Sequence, residues 1–187
     1  MPSQSLLRWN KDACAALDQI QAAHAAVGGN APGRRFATLQ INHAYLVLIS
    51  SHFQGFCRAL HTEAVDYICS QPGTGAPDPR RDILRITLTL NRQLDSKNPS
   101  PGHIGSDFGR FNIKFWDRVK AQAPTHNKRR QVQLEQLNTW RNAIAHQDFA
   151  AQSLRPDALT LTMVRQFRTA CHLRANSFAV KLMPVGL

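Results

Sequence analysis

Acidic residues are scarce in this chain. Aspartate and glutamate total 12 against 23 lysines and arginines, leaving a formal net charge of +11. An imbalance of that size favours a polyanionic partner, with nucleic acid ahead of a membrane surface, over the bland alternative of a basic surface tuned only for solubility. Long apolar runs are also missing. The longest, Ala44 to Ile49, falls far below the ~20 residues that a membrane-spanning helix requires. The first residues, Met1-Pro2-Ser3-Gln4, show no basic stretch leading into an apolar one, as a secretory signal would. The expectation is a soluble, cytoplasmic protein with no membrane association.

Cysteine is sparse, and its arrangement excludes more than its number. Cys14, Cys57, Cys69 and Cys171 form no CxxC pair, and each lies within an apolar helical pattern. They read as small buried hydrophobes, not as zinc ligands or a disulfide frame. The histidines lack metal-ligand spacing as well. His43, His52 and His61 are nine residues apart, not the i,i+4 pairing that holds zinc on a helix. Gly102 and Gly105 follow no strand and precede no Gly-Lys-Ser/Thr, so they are not a phosphate loop. Neither a metal nor a cofactor is expected.

What remains is helical periodicity over 187 residues, enough for one domain, 1–187, with a real core. The pattern predicts an all-α bundle of five to six helices. The first runs from about Asn10, which can cap it, to Val27, with Gly28-Gly29 as its stop. A loop with Pro32 and Gly33 leads to a long helix from Phe36 to Gln71, whose Tyr45, Ile49, Phe53, Phe56, Leu60, Ala64 and Ile68 share one face. Pro72 to Pro79 is a break. A third helix from Arg80 to Leu94 competes with a strand reading, because Ile86 to Leu90 alternates. The polar stretch Lys97 to Gly109 reads as a long loop, a kind that is often functional. Phe111 to Lys120 is a short helix, Lys128 to Phe149 a longer one, and Pro156 or Asp157 opens the last, ending at Leu182 before Pro184. Trp9, Trp116 and Trp140 read as core residues, not base-stacking platforms.

Near the end of the Lys128–Phe149 helix stands Arg141-Asn142-Ala143-Ile144-Ala145-His146. RNA carries its own nucleophile, the 2′-hydroxyl. Cleavage then needs a proton-transfer group, which His146 supplies, and a cation for the phosphate, which Arg141 supplies. Asn142 can orient a neighbour. At about 100° per residue, Leu134, Leu137, Trp140 and Ile144 form the core stripe and Arg141 lies at its edge, where a charge needs a partner or a wet cleft. Asn142 and His146 share the other side. Arg141 and His146 therefore cannot meet on one straight helix; a homodimer with its two-fold axis near these helices would bring the two sets together. Lys128, Arg129 and Arg130 open the same helix and read either as a solvated face or as RNA-backbone contacts. Arg165, Arg168 and Arg174 could extend that basic surface. Alone, Arg-Asn-x-x-x-His is weak: shuffling this composition would produce it in roughly one chain in twenty-five. In the bland reading Arg141 is a snorkelling interface residue and His146 a surface residue.

The context strengthens it. Leu137 to His146 resembles the signature helix of HEPN domains, in which an arginine, often followed by asparagine, precedes a histidine by four to six residues. Ala44 to Arg58, and Gly105 to Ile113 with Phe115-Trp116-Asp117, are similar to the RiboL-PSP-type prokaryotic members. The resemblance spans roughly Phe36 to Phe149. It implies a helical bundle, homodimerisation and often metal-independent endoribonuclease activity that leaves a 2′,3′-cyclic phosphate, with Arg141, Asn142 and His146 as the catalytic set. Many such proteins are toxins or antiviral effectors, so a cognate antitoxin is an implied partner; others are inactive RNA-binding or dimerisation scaffolds. Relatives often carry an acid in the long helix where this chain has Gln54, which can orient a neighbour by hydrogen bonding but supplies no charge.

Overall fold

The computed structural model describes residues 3–28, 36–70, 79–122 and 124–182. Eight helices and no strand run through these residues, so the fold is all-α. Helix α1 starts as Gln4–Arg8, passes through a π turn at Trp9–Ala13 and continues as Cys14–Gly28. Then come α2 (Phe36–Ser70), α3 (Pro79–Thr89), α4 (Gln93–Ser96) and α5 (Pro101–Gly109). The last three are α6 (Phe115–Gln122), α7 (Pro124–His146) and α8 (Leu161–Leu182). The expected breaks at 30–35 and 72–78, and the stop at Pro184, lie outside the described residues.

The long α2 is the axis of the bundle, with α1, α7 and α8 packed around it. Its Ile49, Phe53, Phe56 and Leu60 are buried as their spacing predicts, against Leu134, Leu137 and Trp140 of α7 and Phe167 and Phe178 of α8. Each such side chain contributes about 1.5–3 kcal/mol by leaving water. Trp9 and Trp140 are core, as expected. The π turn aims Trp9 inward, its ring 5.9 Å from Phe53 and 5.8 Å from Phe56. Cys57, Cys69 and Cys171 are buried free thiols and Cys14 is half-buried.

Several boundaries differ from the sequence expectation. Asn10 does not cap α1. Ser3 does, its Oγ accepting from Leu6 N at 3.2 Å. Glu63 of α2 clamps the same end through Ser3 Oγ (2.9 Å), Gln4 N (2.8 Å) and Ser5 N (3.1 Å). A distant carboxylate satisfying a helix start leaves no local sequence signal. The Arg80–Leu94 segment is helix and not strand, but it splits in two: Asn91 takes a left-handed φ of 55°, and Arg110 donates to the carbonyls of Leu90 (2.6 Å) and Asn91 (2.9 Å). Its Ile83, Ile86 and Leu90 are exposed, while Leu88 is buried. The expected Phe111 start moves to Phe115 because Asn112 is left-handed. The last helix starts at Leu161, where Thr160 Oγ1 accepts from Met163 N at 3.2 Å; Pro156 sits in a separate 3₁₀ turn.

The largest correction concerns Lys97–Gly109. The stretch is not one loop, because Pro101–Gly109 is helix α5. Ser100 caps it by accepting from His103 N at 3.2 Å, and Pro101 takes the first turn, where a missing N–H is harmless. Asp107, fully buried on α5, accepts from Gln93 N at 2.9 Å and Leu94 N at 2.8 Å and so caps α4. Gly105 allows the Trp116 indole to cross α5 and donate to the Pro101 carbonyl at 2.9 Å; a Cβ there would lie 2.6 Å from Trp116 Nε1. The glycines and prolines of this stretch suggested a loop, whereas each has a place in or beside a short helix.

Candidate functional site

Helix α7 ends at His146, not Phe149. Gln147 adopts a φ of 54°, its N–H reaches the Ile144 carbonyl at 3.4 Å, and the Asp148 N–H reaches that of Ala143 at 3.0 Å. This pair of bonds is the Schellman stop. The chain then doubles back, and Phe149 packs 6.5 Å from Trp140 and 5.7 Å from His43. His146 is left at the rim, exposed, with no hydrogen bond among the described residues.

Arg141 and Asn142 are half-buried. Arg141 Nη1 donates to Asn142 Oδ1 at 3.4 Å. The same oxygen accepts from Asn98 Nδ2 at 2.6 Å. Asn98 belongs to the turn between α4 and α5, so the segment that read as a long polar loop lies on α7. Its backbone carbonyl faces His103 Nδ1 of α5 at 2.8 Å. Neither Asn98 nor His103 was singled out from the sequence as a site residue. The signal available was the length and polarity of their segment; their partner in space depends on how α5 docks.

Gln54 is elsewhere. Its Nε2 donates to the Leu94 carbonyl at 2.8 Å, fastening α4 to α2, and it makes no hydrogen bond to Arg141 or His146. Beside it His61 is fully buried. Its Nε2 donates to the Asp107 carbonyl at 3.1 Å, and Arg92 lies 3.5 Å from Nδ1. Burial first, then the Arg92 charge, lower its pKa to about 4. It is a neutral structural pivot under α5.

A second feature lies toward the start of α7. A groove of about 460 Å³ between α7 and α8 is lined by His126, Arg129, Arg130 and Gln133 on one side and Arg165 and Gln166 on the other. Among the described residues no carboxylate lines it. Arg165 donates to Gln21 at 3.3 Å. Arg130 precedes Arg141 by eleven residues, about 16 Å at ~1.5 Å per residue. The tertiary structure sorts the basic residues. Lys128 is exposed and outside the groove. Arg168 is paired with Asp18 at 2.7 Å and Tyr45 Oη at 3.1 Å. Arg174, expected on the surface, is 1% exposed. It is bound to Asn127, its guanidinium 5.1 Å from the Trp116 ring centre. Burial, and then the Arg130 charge, lower its pKa to about 10.

Among the described residues, no three His, Cys, Asp or Glu side chains gather as a metal site, and no helix is long and apolar enough to cross a membrane.

The model of the RiboL-PSP-HEPN family matches residues 7–165. This chain is a member of the RiboL-PSP-HEPN family. The match extends beyond the Phe36–Phe149 stretch of the resemblance and takes in α1 and the start of α8. No curated protein and no solved structure matched the chain. Among the described residues of this HEPN domain, the polar cluster on α7 and the arginine groove are two features with chemistry to offer.

Proposed function

We propose that this HEPN protein is a metal-independent endoribonuclease that cleaves RNA through its own 2′-hydroxyl, leaving a 2′,3′-cyclic phosphate and a 5′-hydroxyl. Arg141 clamps the scissile phosphate and stabilises charge on its non-bridging oxygens. His146 transfers the proton, and Asn142 fixes Arg141. The observation that carries the reading is the half-buried guanidinium of Arg141, held by an asparagine that is itself held, and paired with no carboxylate among the described residues. A cation kept this way is prepared for an anion that the protein does not supply. Family membership supports the RNA-related role, and the groove of Arg129, Arg130 and Arg165 adds phosphate contacts farther along the strand.

The active unit in this reading is a homodimer, because five residues of helix turn His146 about 140° away from Arg141. The two-fold axis runs near the ends of the α7 helices. A cell would need to restrain such a nuclease, so the proposal extends to a toxin or phage-defence role with a neutralising protein partner, in the cytoplasm.

The deciding experiment is cleavage of single-stranded RNA by purified protein, with end-group analysis, beside Arg141→Ala and His146→Ala. Each substitution should lower the rate by about two to four orders of magnitude without changing oligomeric state by light scattering. Chelator should leave the rate unchanged, since no bound water is the nucleophile. One observation favours a second reading, an RNA-binding scaffold: the groove is complete without Arg141 or His146. Intact RNA after incubation, with binding retained, would decide for the scaffold.

A further inference from the structure

Cleavage by a 2′-hydroxyl requires two proton transfers, one from the attacking oxygen and one to the departing 5′-oxygen, on opposite sides of phosphorus. The hexapeptide contributes one histidine per protomer, and no hydrogen bond among the described residues ties that ring to the Arg141 cluster. We infer that His103 is the second, acting as general base on the 2′-hydroxyl from the same protomer that provides Arg141. The inference rests on the ribonuclease reading.

Three observations lead there. His103 Nδ1 lies 2.8 Å from the Asn98 carbonyl oxygen. A carbonyl only accepts, so Nδ1 carries the hydrogen, and the neutral ring presents a bare Nε2. That nitrogen has no hydrogen-bond partner among the described residues, and the ring is half-buried at the head of α5. The tautomer needed of a base is thus held by the fold.

Asn98 is also the residue that joins this ring to the phosphate clamp. Its main-chain oxygen holds His103, and its side-chain nitrogen holds Asn142 Oδ1 at 2.6 Å, the atom that also receives Arg141. The imidazole is fastened to Asn98 directly, and the guanidinium is linked to Asn98 only through the shared acceptor, Asn142 Oδ1. His146, by contrast, points about 140° away from Arg141 around α7, and no hydrogen bond among the described residues ties it to the cluster.

His103 Nε2 takes the 2′-hydroxyl proton while the 2′-oxygen bonds to phosphorus. The bond between phosphorus and the 5′-oxygen breaks, and that oxygen takes a proton from the protonated ring of the partner subunit's His146. The products are the 2′,3′-cyclic phosphate and a 5′-hydroxyl end; exchange with water resets both rings.

The test compares an RNA having one cleavable linkage with the same RNA carrying sulfur at the bridging 5′ position. A thiolate leaves without a proton, so sulfur rescues loss of an acid but not loss of a base. His103→Asn places an amide nitrogen where Nδ1 stood and keeps the Asn98 bond; His103→Gln is the second variant, and melting temperature checks both folds. Expected is a loss of about two to four orders of magnitude for the folded His103 variants on both substrates, with the His146→Ala defect largely recovered on sulfur. Wild-type cleavage by the His103 variants, or recovery of their defect on sulfur, overturns the assignment. Arg141→Ala separates the two claims. If it cleaves at the wild-type rate, or the wild-type protein does not cleave at all, the ribonuclease reading fails; if Arg141 is required and His103 is not, only this inference fails.

Discussion

The side-chain amide of Asn98 donates to Asn142 at 2.6 Å across 44 residues of sequence. This bond joins the turn before α5 to α7. Asn98→Ala removes it and leaves Asn142 free to turn away from Arg141. A half-buried hydrogen bond contributes about 0.5–1.5 kcal/mol net, so kcat/KM for RNA cleavage should fall up to about tenfold. RNA affinity, read by a binding titration, should be nearly unchanged, because the arginine groove is untouched.

Gly105 and Gly109 should respond oppositely to alanine. In a helix the exchange ordinarily gains up to ~1 kcal/mol. At Gly105 the new Cβ would lie 2.6 Å from Trp116 Nε1, and overpacking of this kind costs about 1–3 kcal/mol. Gly105→Ala should lower the melting temperature and perturb Trp116 fluorescence. Gly109, with nothing within 4 Å of an added Cβ, should give an unchanged or slightly raised melting temperature.

His61 should make the protein acid-sensitive. Its folded pKa is about 4, below the ordinary ~6.5 of the unfolded chain. Above pH ~6.5 both states are neutral and the full stability is present. As pH falls toward about 4, the unfolded state alone takes up the proton, and stability drains away by up to about 3 kcal/mol. Urea midpoints followed from about pH 7 down to about pH 4 should fall in the wild type and fall less in His61→Gln. Parallel curves for the two proteins would refute this account.

The groove predicts a salt dependence. Removing one arginine that neutralises a phosphate should reduce the slope of log affinity against log salt by about 0.7 for single-stranded RNA. A variant with Arg129, Arg130 and Arg165 all changed to alanine should therefore show a slope shallower by about 2. Lys128→Ala should change it little, because Lys128 stands outside the groove.

Much of the fold was legible in the sequence. The core face of α2 was readable because one helix buries one stripe, and the 3.6-residue period writes that stripe directly into Ile49, Phe53, Phe56 and Leu60. The place of Arg141 at the edge of the α7 core stripe was legible for the same local reason, and it is half-buried there. The arginines were legible as charge but not as surface. Arg165 lines a groove, Arg168 is paired with Asp18, and Arg174 is buried over Trp116, although all three share one helix.

The sequence by itself determined a helical protein, the long central helix, the basic character and the Arg141–His146 hexapeptide as a local pattern, all properties of composition or of residues near each other in the chain. The tertiary structure decided what surrounds that hexapeptide. It turned an expected loop into α5, capped α4 with the buried Asp107, moved Gln54 to the Leu94 carbonyl, and set Asn98 on Asn142 with His103 on the Asn98 carbonyl. These pairings join residues from 5 to 44 positions apart through single hydrogen bonds with no period and no spacing rule. They exist only once the apolar faces have packed and fixed which polar groups meet.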